Sequence, residues 1–317
     1  MADPDADYVC SLDEKSLKVA KEELCEDPDE RLSQVKQLRA WIETQPHLKC
    51  KTDTIFLLNF LRRYRFSQLE TRKMLDYFLT ILTEMPEWFR DLDPLEPHIE
   101  KAYWTGHLVP LPQRDDKGRR VVLMRPGVID PNTKEFTGMH VSKDNNCIFG
   151  VLQGEEMTQV NGMIFVIDYT GMTTKHMSFY GMDQARKMSK FMDKFPGRFK
   201  EMHYYNTGSV FEAVMGVMKP FLSQKIKDRM IMHGNNLESL YKKIPLHLLP
   251  EEYLPDDYTG PNAGSVKTIL EDFRKRMIEP KFRNGLIEGS TEYGYVDERL
   301  RPKVEEVQAT FRKLNVD

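Results

Sequence analysis

The side chains able to do chemistry are dispersed along this chain. Its eight histidines are scattered, and none forms an H-E-x-x-H pair. His203 falls in an expected strand and His233 just after one. Satisfied core or turn histidines are commoner in such places than general bases. Glu155 and Glu156 are adjacent, so on a helix they point apart, and both are expected in solvent. Cys10, Cys25, Cys50 and Cys147 include no CxxC pair, which argues against a zinc site and a disulfide framework. A G-x-S-x-G elbow, a P-loop and a G-x-G-x-x-G fingerprint are all missing. The expectation is therefore no catalytic residue, no metal and no cofactor: a binding protein rather than an enzyme.

Apolar side chains are concentrated where chemical ones are not. From Ser209 to Leu222 the sequence reads as a short helix, with Val210, Val214, Val217, Met218 and Phe221 on one face and Phe211, Met215 and Leu222 on another. Only Glu212 and Lys219 are charged, and a helix apolar nearly all round is buried on both sides or covers something apolar. Lys225, Lys227 and Arg229 follow at once. Most of the 18 methionines lie between Met157 and Met232, and Met moulds to irregular guests. Three cations, Arg62, Arg63 and Arg65, crowd the end of an earlier helix. The helix dipole accounts for one or two of them, leaving room for an anionic partner.

The elements that must position these residues follow from periodicity. Four amphipathic helices are expected before residue 90: Leu12–Leu24, a stripe from Leu32 to Ile42, a helix opened by Thr52 or Asp53, and one opened by a Ser67/Glu70 capping box. A hairpin is expected from His107–Leu111 and Arg120–Arg125 around the turn at 115–118. Met163–Ile167 lacks polar alternation, as in a central strand covered on both faces. It lies between helices expected at Val141–Thr158 and Thr173–Phe195, and further strands are expected at Glu201–Tyr205 and Met230–Met232. This alternation implies a mostly parallel sheet flanked by helices, the α/β class. The expected division is 1–90, a helical bundle; 91–262, an α/β binding domain; and 263–317, a C-terminal extension. The extension holds a helix at Val266–Ile278, a looser stretch from Gly285 to Tyr295 and a last helix near Pro302–Leu314.

Apolar residues facing the space beneath the Ser209–Leu222 helix are the candidate ligand contacts. They are Phe149 and Leu152; Phe165 and Ile167, which share one side of a strand; Met188, Phe191 and Phe195; Met202 and Tyr204; and Val210, Phe211, Val214 and Met218 on the covering helix. Net charge is −3, so nucleic acid is not an expected partner and any attraction must come from local patches. The acidic N-terminus lacks an apolar signal core, and no apolar run reaches the roughly 18 residues of a membrane span. A cytoplasmic monomer is expected.

Several stretches carry a family resemblance. FLRRYRF at 60–66, NGMIFVIDYTGM at 161–172, and FPGRFKEMHYYN with VMKPFLSQKIKDRMIMHGNN resemble the CRAL-TRIO family, and the last run is similar to that of its tocopherol and retinaldehyde carriers. The resemblance runs from about Asp27 to about Tyr258. It implies a helical N-terminal domain, then a lipid-binding domain with a mobile helix gating an internal cavity, here Ser209–Leu222. It also implies a phosphoinositide patch and reversible, peripheral membrane association. The matching positions are Arg198 and Lys200, then Lys225 and Arg229, the last two placed on one face if helical. Tyr64 stands where the family has an Arg, leaving Arg63 or Arg65 to make that contact, and Met172 stands where a Trp is frequent. The implied activity is transfer of a hydrophobic molecule such as a retinoid, tocopherol or carotenoid between membranes. A lipid-sensing adaptor that recruits a protein through the charged tail is the alternative.

Overall fold

The computed structural model describes residues 5–302. Four helices open the chain: α1 (Glu14–Leu24), α2 (Arg31–Glu43), α3 (Thr54–Arg63) and α4 (Gln68–Glu84). Asp13 caps α1 and Asp53 caps α3, each accepting from a backbone N–H of the first turn. Ser67 caps α4 by accepting from Glu70 N. Between α2 and α3 lies the two-residue strand β1 (Leu48–Lys49), and α5 (Pro86–Phe89) and α6 (Pro97–Tyr103) lead onward. Leu57, Leu58, Phe60 and Leu61 of α3 are fully buried and join one core with the sheet that follows.

That sheet has five strands in sequence order: β2 (Leu108–Arg114), β3 (Arg120–Met124), β4 (Met163–Asp168), β5 (Phe199–Tyr205) and β6 (Met230–Met232). β2 and β3 form the antiparallel hairpin, and every later pairing is parallel. β4 is buried at every position, as its unbroken apolar run predicts. β6 is the edge strand, and its Met232 is 48% exposed, so it is not the buried strand its composition suggests.

Helices cross between the strands. α7 (Gly138–Gln153) and α8 (Glu156–Asn161) replace the single helix expected over 141–158. The segment from Thr173 to Phe195 is likewise two helices, α9 (Thr174–Tyr180) and α10 (Met182–Lys194). They part at Gly181, whose φ of +79° suits glycine and interrupts helical hydrogen bonding. α11 (Ser209–Met218) ends in a 3₁₀ turn at Lys219–Phe221, and α12 (Gln224–Lys227) and α13 (Leu237–Tyr241) flank β6.

The C-terminal region is more regular than its sequence suggests. α14 (Val266–Met277) is followed by α15 (Pro280–Thr291), where a looser stretch was expected, and by β7 (Tyr295–Val296), which pairs antiparallel with β1. Lys51 Nζ donates to Gly285 O at 2.8 Å, Arg283 pairs with Asp93 at 2.6 Å, and Arg90 donates to the carbonyls of Thr291 and Tyr293. The tail therefore closes onto the N-terminal helices. The helix expected near Pro302–Leu314 lies outside the described residues.

Candidate lipid cavity and its cationic border

α11 lies over the mouth of a cavity of about 280 Å³ walled by β4, β5, α7, α10 and α11. Because β4 alternates, Phe165 and Ile167 face this space together, and Phe149 of α7 meets Phe165 at a 6.2 Å ring separation. Met188, Phe191 and Phe195 on the α10 side also line it, as do Met202 and Tyr204 of β5 and Val214 and Met218 of α11. Met124, the β3 partner of Ile167, completes the floor. No Lys, Arg, Asp or Glu lines the cavity among the described residues. Such a wall suits apolar guests.

Three expected contacts stand elsewhere. Leu152 is fully buried in the core and does not line the cavity, although it lies one helical turn on from Phe149. Val210 and Phe211 sit in the first turn of α11, beyond the wall; Phe211 packs on Tyr169 at 5.1 Å and Tyr204 at 5.3 Å, behind the lining. Phe199 lines the cavity although alternation from Met202 assigns it to the other face. Met163 pairs with Phe199 but Ile164 with Glu201, so a bulge at Lys200 inserts one residue and restores Phe199 to the inner side. Met215, Val217, Leu222 and Ile226 also contribute, as does Met172 from the turn after β4. Their apolar character was legible; their direction was not.

No residue of α11 is fully buried, and Phe221 just beyond it is 43% exposed. Both apolar stripes turn inward, Val214, Val217 and Met218 from one and Met215 from the other, and the exposed residues of α11 are Ser209, Glu212, Ala213 and Gly216.

Beside this cover the border is cationic. Arg198 and Lys200 flank Phe199, and Arg229 precedes β6. Their charges act on one another and on those of Arg63 and Arg65. Burial first, then Arg63 and Arg65, holds Arg198 below the ordinary guanidinium range, against the opposing effect of Glu23. Arg229 is lowered by burial and by Arg63 and Arg198. Glu23 of α1 answers this charge: its carboxylate accepts from Arg198 at 2.7 Å and Lys200 at 3.1 Å, and its carbonyl accepts from Arg65 at 2.8 Å. Arg198 also donates to Val160 O, and Arg229 to Phe199 O. Arg63 stacks over Tyr64 with its buried Nε unpartnered among the described residues. The expected one-face pairing of Lys225 with Arg229 does not form, because α12 stops at Lys227; Lys225 is exposed on that helix.

Arg62 is different from its neighbours. It is fully buried, donating to Glu26 at 2.8 Å, Glu156 at 2.9 Å and Gln159 at 2.7 Å. Glu156 is therefore no solvated acid, and it also accepts from Tyr8 at 2.6 Å and Ser11 N at 2.7 Å. Its neighbour Glu155 pairs with Arg114 at 2.6 Å and Arg120 at 2.9 Å. The expectation of solvent for these two acids fails because each is the counter-ion of a buried arginine. Behind β5, Glu201, His203, His233 and Ser239 form a chain at 3.1, 2.9 and 2.8 Å, with both rings buried. These histidines are satisfied structural ones, as their positions suggested.

Comparison with known proteins agrees with this architecture. The CRAL/TRIO domain model matches residues 105–253, and the Pinta-like UBA domain model matches residues 27–99. Over 288 residues the chain is 32% identical to the human protein "Alpha-tocopherol transfer protein-like", covering 86% of this chain and 80% of that one. The chain belongs to the CRAL/TRIO family. This CRAL/TRIO chain is also 30% identical over 244 residues to Clavesin-1 of Xenopus laevis, covering 76% of this chain and 73% of that one. The crystal structure of Sfh5 superposes with a TM-score of 0.44 at 13% identity, covering 86% of this chain and all of that one. No helix among the described residues is long and apolar enough to cross a membrane.

Proposed function

We propose that this protein is a lipid-binding carrier of the cytoplasm that takes a small hydrophobic molecule into the cavity beneath α11 and moves it between membranes. One observation carries this reading: a cavity with no charged side chain in its wall among the described residues lies under a helix that is apolar along its inner side and has no fully buried residue. Burying the ligand's apolar surface supplies affinity, at roughly 25 cal/mol per Å² before the costs of association. Phe149, Phe165, Ile167, Met188, Phe191, Phe195, Met202, Tyr204, Val214 and Met218 are the assigned contacts, and Val210 and Phe211 support them from the first turn of α11. The name of the human relative, a tocopherol transfer protein-like chain, supports transfer as the activity.

The cationic border is assigned to an anionic lipid headgroup, a phosphoinositide. Arg63, Arg198, Lys200 and Arg229 form its core, and Lys225 adds charge at the rim. A clustered guanidinium and ammonium site suits phosphate oxygens. The headgroup would take the place of the Glu23 carboxylate, and it favours release only by binding the open state better than the closed one. The stretch from Gly285 to residue 302 closes onto the chain's own N-terminal helices, which favours the carrier over the adaptor that recruits a partner through the charged tail.

The test is transfer of a fluorescent apolar probe from donor to acceptor vesicles. Catalysed transfer that quickens when the acceptors contain phosphatidylinositol bisphosphate is the expected result. A protein that takes up no apolar probe would defeat the reading.

A further inference from the structure

Two stripes of side chains cross on α10. Met188, Phe191, Met192 and Phe195 recur at i, i+3, i+4 and i+7, and all four line the cavity. Lys187, Phe191 and Lys194 recur at i, i+4 and i+7, and this second stripe meets the N-terminal helices. Lys187 Nζ donates to Glu87 Oε1 of α5 at 2.6 Å. Lys194 Nζ stands 5.4 Å from the centre of the Tyr77 ring of α4. Phe191 belongs to both stripes. Its ring lies 4.9 Å from that of Phe89 in α5 and 6.1 Å from that of Phe78 in α4, and all three are buried. One side chain of the cavity wall is therefore packed directly on the N-terminal helices.

The chain on either side of α10 does not fix its position. Gly181, at φ +79°, separates it from α9, and Pro196 ends it because proline has no N–H to continue the ladder. What fixes it is the pair of surfaces it lies between. On the cavity side its neighbours are a guest and the apolar wall. On the other side they are the rings of Phe78 and Phe89 and the Glu87 carboxylate. Against burial, the Lys187 ammonium and its own backbone N–H hold Glu87 below the ordinary carboxylate range, so the pair is charged at neutral pH. A wall displaced by about 0.5–1 Å forfeits roughly a quarter to a half of its dispersion contact with whatever it touches.

We propose that Glu87 is a positioning residue for the cavity: by holding Lys187 it seats α10, so the N-terminal helices set how long a guest is retained, separately from the α11 cover. The inference rests on the carrier reading above. The pair stands outside the cavity wall and outside the cationic border, so it acts on a guest only through α10. Both partners are partly exposed, so breaking the pair loosens one wall without unfolding the chain.

Release of N-phenyl-1-naphthylamine, an apolar fluorophore, from the full chain into excess neutral phosphatidylcholine vesicles tests this without engaging the border. Glu87→Gln and Lys187→Met should each quicken release by about two- to fivefold. Glu87→Lys, which sets two ammonium groups together, should quicken it more, and adding Lys187→Glu to that variant should bring the rate back toward that of the unaltered protein. Urea midpoints should stay unchanged throughout, which a mere brace of the fold would not allow. Unchanged release in the single variants, no rescue by the exchanged pair, or a midpoint that falls in step with faster release would each overturn the positioning role alone. Failure of the unaltered protein to take up the fluorophore would instead remove the carrier reading, and this role with it.

Discussion

Strand β5 serves two regions made of opposite materials. Phe199, Met202 and Tyr204 face the cavity, while Arg198 and Lys200 stand in the cationic border. An apolar wall is stable without dedicated partners, because each side chain needs only to leave water. A cluster of cations is not, because like charges repel and each buried N–H seeks an acceptor. The border therefore draws in Glu23 from α1 and the carbonyl of Val160. A cavity can be inferred from the strands that build it. A charged site is completed by whatever counter-ion the fold delivers.

The largest expected break separates two neighbours in one helix. Arg62→Met strands the buried carboxylates of Glu26 and Glu156 and should cost about 3–5 kcal/mol in urea unfolding. Arg63→Met should leave stability within about 0.5 kcal/mol, as for substitutions away from such networks, and weaken only binding to anionic vesicles. Equal losses of stability would merge the structural and border arginines into one group.

The outward face of β5 also sets a pH dependence. Burial lowers His203, with Glu201 opposing and His233 and Arg119 adding to the shift; burial and Lys243 lower His233. Folding then excludes protons that the unfolded histidines take up, so this stability is present above the unfolded histidine range. It falls as pH drops below about 6.5, by up to about 1.4 kcal/mol per pH unit for each histidine. Urea midpoints at pH 7 and pH 5 measure it, and His233→Asn should flatten the difference.

Filling the cavity tests the other region. Ile167→Trp overpacks the floor and should reduce apolar-probe capture by roughly 10- to 100-fold, the equivalent of 1–3 kcal/mol. Vesicle association through the border should persist, and its loss would mean that the two regions are not separable.

Charge reversal at Arg198 or Arg229 should weaken binding to phosphoinositide vesicles by about tenfold, more at low salt than at high. Capture in solution should be spared, and Lys225→Glu should do less than either. The smallest effect is expected from Glu23→Gln. Removing this half-exposed acid should strengthen vesicle binding by only about two- to fivefold, since exposed pairs contribute little. A decrease would identify Glu23 as a brace that shapes the border.

Much of the cavity was legible in the sequence because hydrophobic period and strand period state which side chains travel together. Phe165 with Ile167, and Met202 with Tyr204, follow from alternation alone. Phe199 was hidden by a one-residue bulge, and Leu152 packs into the core although its i,i+3 spacing puts it on the same side of α7 as Phe149. Glu155 and Glu156 looked solvated because their arginine partners lie far away in the chain. The tail looked loose because Gly285, Gly289 and Gly294 mask a helix and a strand that exist by packing on the N-terminal domain.

By itself the sequence determined the α/β order and the apolar cover helix, because each is written in local spacing, whereas the cationic positions came from the family resemblance. Only the tertiary structure decided that Arg62 is buried, that Glu23 answers Arg198 and Lys200, and that Glu155 pairs with Arg114 and Arg120. Those outcomes depend on contacts between residues distant in the chain, and no local period encodes which distant group will arrive.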